Sequence, residues 1–169
     1  MRLSELFREV EFDGSIKNDA DINLVIDDSR LVRPGSLFVC IRHRSFDGHT
    51  AALDALASGA AAVVTQDRLG LENELRVADS RSANARLCAA LCNHPERKLR
   101  MIGVTGTNGK TTVTTLIRNI LSDSGTKTLL TGTVCNRLGD ENLPSGLTTP
   151  KPPELYSLLS RAVSQGCKA

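Results

Sequence analysis

The chain has no tryptophan, one tyrosine and four phenylalanines in 169 residues. Its core must therefore be built from Leu, Val, Ile and Ala, and it has little aromatic surface on which nucleic-acid bases could stack. Net charge is only +2, too small to mark a polyanion-binding protein, so no nucleic-acid partner is expected. No apolar run approaches the length of a bilayer span, so no membrane partner is expected either. Residues 1–10 alternate charged and apolar side chains without the apolar centre of a secretion signal, and they read as a short amphipathic helix. A soluble, cytoplasmic, monomeric protein is the expectation. The five cysteines (Cys40, Cys88, Cys92, Cys135 and Cys167) are odd in number and irregular in spacing, which argues against a disulfide framework. Cys88 and Cys92 lie four apart with His94 nearby, but zinc spacing lacks a fourth ligand, and small buried apolar roles are expected instead.

Against these absences stands one dense motif. The β-prone stretch from Met101 to Val104 runs into Gly106-Thr107-Asn108-Gly109-Lys110-Thr111-Thr112, and a helical pattern follows. Strand, glycine turn, lysine, hydroxyl and helix form the arrangement that holds a nucleoside triphosphate. Glycines let backbone N–H groups curl around phosphate oxygens, and the helix N-terminus adds partial positive charge. Lys110 supplies a full charge, and a threonine hydroxyl can ligate Mg²⁺. The usual pattern places a glycine where Val104 stands, so this is a compressed form. Downstream, Val113, Leu116, Ile117, Ile120 and Leu121 recur at helical spacing and predict one apolar face, with Gly125 as the stop.

The rest reads as alternating strands and helices. Strands are expected at Ile22–Ile26, Ser36–Ile41, Ala61–Thr65 and Leu75–Ala78. Helices are expected at Thr50–Ser58, with Leu53, Leu56 and Ala57 inward, and at Ser80–Cys92, with Ala83, Leu87, Ala90 and Leu91 inward. The polar, proline-containing stretch Asn93–Lys98 reads as a linker, dividing the chain into domains 1–98 and 99–169. Beyond the phosphate loop, Lys127–Val134 reads as a strand and Asn136–Gly146 as a loop. Pro152-Pro153 opens a last helix running to about Gln165. The second domain thus has few strands for a doubly wound sheet, which usually has five or six. A fragment of something longer is the expectation, since a half sheet exposes unpaired edges.

Taken together, the motifs resemble the Mur ligases of bacterial cell-wall synthesis, in the branch that adds the third amino acid to UDP-N-acetylmuramoyl-L-alanyl-D-glutamate. The resemblance runs through the whole chain in order. It rests on Asp28-Ser29-Arg30, Pro34-Gly35 with Leu37-Phe38-Val39, Asp47-Gly48-His49, the Gly59–Val64 run, Thr105–Thr112, Thr131-Gly132-Thr133 and Leu147-Thr148-Thr149-Pro150. A departure is Arg42-His43-Arg44, which stands where the family often has glycine. The family's later metal-binding glutamate and histidine, its modified lysine and its amino-acid-binding domain fall outside these residues.

The resemblance implies an α/β fold: a small mixed-sheet UDP-binding domain followed by the start of a phosphate-loop doubly wound ATPase domain. It implies an ATP-dependent, Mg²⁺-dependent amide ligase whose partners are UDP-MurNAc-L-Ala-D-Glu and meso-diaminopimelate or L-lysine. By that resemblance Lys110 is the catalytic residue, contacting the β- and γ-phosphates. Gly106, Thr107, Asn108, Gly109, Lys110, Thr111 and Thr112 cradle ATP, and Thr111 ligates Mg²⁺. Ser29, Arg44, Ser45 and Phe46 hold the uridine nucleotide, and Thr148 and Thr149 meet its muramoyl-peptide end. These 169 residues alone are expected to be catalytically inactive. Two other readings stand beside this one: a UDP-sugar-binding module without catalysis, and an unrelated phosphate-loop NTPase or kinase.

Overall fold

A four-stranded sheet forms the first unit, built from short, largely aliphatic runs whose connections pass through the 3₁₀ turn Ser29–Leu31, the helical stretch 48–57 and the loop 66–73. A computed structural model describes residues 1–169. The strands are β1 (Leu24–Ile26), β2 (Ser36–Val39), β3 (Ala62–Thr65) and β4 (Glu74–Arg76), paired in sequence order and all parallel. Asp13 adds one isolated antiparallel bridge to Arg76 at the β4 edge. Every residue of β2 and β3 is buried, as expected for central parallel strands covered on both faces. Helices α1 (Leu3–Leu6), α2 (Ala52–Ala57) and α3 (Ser80–Leu91) supply the cover.

One core cluster gathers Ile26, Phe38, Cys40 and Val63 against Ala51, Ala52, Ala55 and Ala60. The expected inward face of α2 is corrected in part: Leu56 packs against this cluster and Ala52 and Ala55 are buried, whereas Leu53 is 64% exposed and Ala57 is exposed too. Small alanines let the short helix lie close to the sheet, and that close approach outweighs the hydrophobicity of Leu53. On α3 the buried residues are Ser80, Ala83, Asn84, Leu87, Cys88 and Ala89, with Ala90 and Leu91 only half-buried.

The chain divides into compact units at Met1–Leu91 and Cys92–Ala169. This boundary precedes the expected linker, because the 3₁₀ turn Pro95–Lys98 packs on the last helix of the second unit. That unit contains α4 (Lys110–Asp123), β5 (Leu129–Leu130), β6 (Asn136–Leu138), β7 (Glu141–Leu143) and α5 (Pro152–Ser164). Strands β5, β6 and β7 form an antiparallel sheet. Leu99, Leu138, Leu159, Ala162 and Cys167 make its core.

Three expectations are corrected here. Asn136–Gly146 is not all loop: it forms the β6–β7 hairpin, turning at Gly139-Asp140 with Gly139 at φ +57°. The Lys127–Val134 strand shrinks to Leu129–Leu130. Met101–Val104 joins neither sheet, and Met101 and Ile102 are about half exposed. A β-prone run becomes a strand only beside a hydrogen-bonded neighbour. Likewise the apolar row on α4 is left open, with Val113, Leu116 and Ile120 exposed. The buried side chain of α4 is Arg118, which donates to the Gly139 carbonyl at 2.8 Å and so ties the helix to the hairpin turn.

Candidate functional site

Glycine geometry shapes the phosphate loop. Gly106 (φ +146°) and Gly109 (φ +78°) take backbone conformations that side chains disfavour. Gly109 is the N-cap of the 14-residue helix α4, and the helical ladder starts where Val113 N–H donates to the Gly109 carbonyl at 2.9 Å. The N–H groups of Lys110, Thr111 and Thr112 precede that first bond and lie at the positive end of the helix. Residues Thr105 to Gly109 are exposed. Lys110 Nζ folds back over the loop, donating to the Gly106 carbonyl at 2.6 Å and the Thr107 carbonyl at 3.4 Å. An ammonium, free helical N–H groups and two adjacent exposed hydroxyls form a donor set suited to a polyphosphate. No group of three His, Cys, Asp or Glu side chains is placed to hold a metal ion. A magnesium ion here would be held chiefly by the phosphates, with one neutral hydroxyl from Thr111, which suits the ion's habit of keeping few protein ligands.

The uridine candidates lie in the first unit, at the carboxyl ends of adjacent parallel strands. Ser29 opens a 3₁₀ turn just after β1, and Arg44, Ser45 and Phe46 follow β2. Parallel pairing of β1 with β2 brings these two connections to the same sheet edge, the edge where open α/β sheets bind ligands. Asp28 caps the Ser29 turn, accepting from Arg30 N–H at 3.1 Å and from the Arg30 guanidinium at 2.9 and 2.7 Å. That pair is solvent-exposed and contributes little to stability.

After β2 the chain makes a tight excursion. Arg42 and Asp47 form an antiparallel bridge, and His43 N–H donates to the Phe46 carbonyl at 2.7 Å. Arg44, Ser45 and Phe46 are presented to solvent. The backbone N–H of His49 bonds to the Asp47 carboxylate, and the His49 ring and Arg42 add further donors, so its carboxyl is held well below the usual range. Beneath it, burial pushes the Cys40 thiol up to about 12, with Asp47 and Glu74 adding to the effect.

Thr148 and Thr149 are exposed in the second unit. Thr148 accepts from the Thr133 hydroxyl at 2.9 Å, so the two motifs Thr131-Gly132-Thr133 and Leu147–Pro150 lie side by side. Asn136 holds them there. Its side chain, 1% exposed, accepts from Gly132 N–H at 3.2 Å and donates to the Pro144 carbonyl at 2.8 Å. Nothing in the sequence singles out Asn136, because an asparagine in a polar stretch carries no signal.

The fold and the loop together define an α/β protein with a glycine loop at a helix N-terminus, suited to phosphate, and a candidate ligand edge on a parallel sheet. Two family models match the chain: "Mur ligase family, catalytic domain" over residues 21–94 and "Mur ligase middle domain" over residues 104–169. The chain belongs to the Mur ligase family. Among its relatives is the UDP-N-acetylmuramoyl-L-alanyl-D-glutamate–2,6-diaminopimelate ligase of Phocaeicola vulgatus, 36% identical over 99% of this chain and 36% of the relative. The ligase of the same name from Geobacillus kaustophilus is 43% identical over 86% of this chain and 30% of the relative. A solved structure of a ligase of that name matches at 29% identity and TM-score 0.76, over 99% of this chain and 34% of that one. The chain thus spans about a third of the length of the relatives it matches.

Proposed function

We propose that these residues are the uridine-nucleotide-binding and ATP-binding front of an ATP-dependent amide ligase acting on UDP-MurNAc-L-Ala-D-Glu, a monomeric cytoplasmic enzyme of peptidoglycan precursor synthesis. The observation that carries the reading is Lys110, folded over its own glycine loop at the head of α4. The relatives' names support diaminopimelate, rather than L-lysine, as the added amino acid. When bound, ATP supplies the phosphoryl group that activates the D-glutamyl carboxylate for attack by the amine.

In this reading Lys110 leaves the Gly106 carbonyl to meet the β- and γ-phosphates. The N–H groups from Gly106 to Thr112, including those of Thr107, Asn108 and Gly109, cradle the phosphate chain. Thr111 offers its hydroxyl to Mg²⁺. Phosphoryl transfer depends mainly on positioning and charge neutralisation, and these groups supply both. Ser29, Arg44, Ser45 and Phe46 hold the uridine nucleotide, and Thr148 and Thr149 meet the muramoyl-peptide end. Activity further requires an amino-acid site and carboxylate metal ligands, so the 169 residues alone bind without ligating.

The test is calorimetric titration of the chain with Mg·ATP. Lys110→Ala should weaken binding by at least about tenfold and leave affinity for UDP-MurNAc-L-Ala-D-Glu unchanged. Undiminished ATP affinity in Lys110→Ala contradicts the assignment of the loop.

A further inference from the structure

Resting on the uridine-binding reading above, we infer that Asp47 and His49 are positioning residues that hold the 43–46 turn in its binding geometry without touching the ligand.

His49 is a buried imidazole, 8% exposed, just behind an exposed turn. Both of its ring nitrogens are used. Gln66 N–H donates to Nε2 at 3.0 Å. A backbone N–H can only donate, so Nε2 keeps its lone pair and the ring is neutral. The proton then sits on Nδ1, which lies 2.6 Å from Asp47 Oδ1. The same carboxylate oxygen accepts from His49 N–H at 3.0 Å, while Oδ2 accepts from Arg42 Nε at 3.0 Å. Asp47 therefore clamps both feet of the turn, since Arg42 and Asp47 are its first and last residues.

The clamp is anchored in the sheet. Gln66, immediately after β3, receives Ser80 Oγ–H on its side-chain oxygen at 2.9 Å and donates to the Ala78 carbonyl at 3.2 Å. Arg42 also pairs with Asp67, and Arg81 donates to the Arg42 carbonyl. Gly48 N–H donates to the Ile41 carbonyl at 3.0 Å. A line of bonds thus runs from the head of α3 through Gln66 and His49 to Asp47. It ends at a turn whose own side chains Arg44, Ser45 and Phe46 face solvent. Burying an imidazole and tying up a carboxylate is costly unless every polar atom is satisfied, and here they are. A tip fixed this way loses little conformational freedom on binding a ligand, which is how preorganisation raises affinity.

The experiment titrates wild type, His49→Phe, His49→Gln, Asp47→Asn and Arg42→Ala with UDP-MurNAc-L-Ala-D-Glu, and separately with Mg·ATP. Amide NMR spectra report the fold of β1–β4. We expect His49→Phe and Asp47→Asn to weaken the uridine nucleotide by about tenfold or more with ATP affinity unmoved. His49→Gln, which keeps one donor and one acceptor, should recover much of the loss. Arg42→Ala alters only an exposed side chain and keeps the test open if the buried variants unfold; it should weaken binding severalfold. Wild-type-like affinity, within about twofold, in the folded variants overturns the positioning role while leaving the uridine site standing. A wild-type chain that does not bind the uridine nucleotide overturns the functional reading, and the positioning role with it.

Discussion

The Lys110 ammonium donates to the Gly106 carbonyl at 2.6 Å, across the loop that the two residues bracket. The charge that would meet a phosphate is thus already held over the glycine turn by the turn's own backbone. This contact suits a lysine better than an arginine, because a compact ammonium can swing from carbonyl to phosphate on a flexible stem. Lys110→Arg should therefore retain only part of the ATP affinity, by titration with Mg·ATP. Full retention argues that charge alone, and not this geometry, matters at the position.

Gly48 is required for space rather than for backbone freedom. A Cβ there would lie 2.8 Å from the Ile41 nitrogen and 2.9 Å from the Ile41 oxygen. These are backbone atoms of the connection leaving β2, and they cannot swing aside. Gly48→Ala should cost about 1–3 kcal/mol, the range of overpacked sites, as a lowered urea midpoint of the first unit. An unchanged midpoint refutes the close packing.

Asn136 pins two backbone segments with one buried amide. Removing it leaves the Gly132 N–H and the Pro144 carbonyl without that partner, at a cost of about 1–3 kcal/mol. Asn136→Ala should destabilise the second unit by that order and raise hydrogen exchange in residues 131–134 and 144–149. If exchange there does not change, the amide is not what holds the two motifs together.

Acid should destabilise the first unit. The Asp47 carboxyl is lowered chiefly by the His49 backbone N–H, and the Asp19 carboxyl by that of Ser4. Burial alone would raise the Glu74 carboxyl, but bonds from Leu69, Thr65, Leu71 and Gly70 outweigh it and leave it lowered. Carboxyls lowered in the folded state contribute stability that is fully present above their ordinary values near pH 4. That stability is lost as pH falls further, where the unfolded chain binds more protons. Urea unfolding at pH 7 and pH 3 should show a lower midpoint at pH 3, and Glu74→Gln should reduce the difference. Equal midpoints contradict the lowered values.

Much of the first unit was legible because its strands are continuous apolar runs. Leu37-Phe38-Val39 and Ala62-Val63-Val64 are buried as such runs predict, and Gly35 and Gly59 precede them as turns. The glycine turn and the start of α4 were legible because both are set by local sequence. The inward face of α2 was legible only at Leu56, since close helix–sheet approach puts Ala52 and Ala55 inward in place of Leu53, and that distance is a tertiary property. The β6–β7 hairpin was hidden by polar residues: Arg137, Asp140, Glu141 and Asn142 read as loop, and only Gly139-Asp140 signals the turn. Met101–Val104 has strand propensity but no ladder, because pairing is decided by neighbours and not by the run itself. Nor does anything in the spacing of Asp47, His49 and Gln66 reveal that one imidazole links them.

The proposed function puts two nucleotide sites on one chain. Amide chemical-shift mapping on the isotopically labelled chain, titrated first with UDP-MurNAc-L-Ala-D-Glu and then with Mg·ATP, tests both sites at once. The uridine nucleotide should move Ser29 and residues 43–46 but leave 106–112 unmoved, and ATP should then move 106–112 without displacing it. A uridine nucleotide that leaves Ser29 and 43–46 unmoved, or one that competes with ATP for the Lys110 loop, contradicts the proposed function.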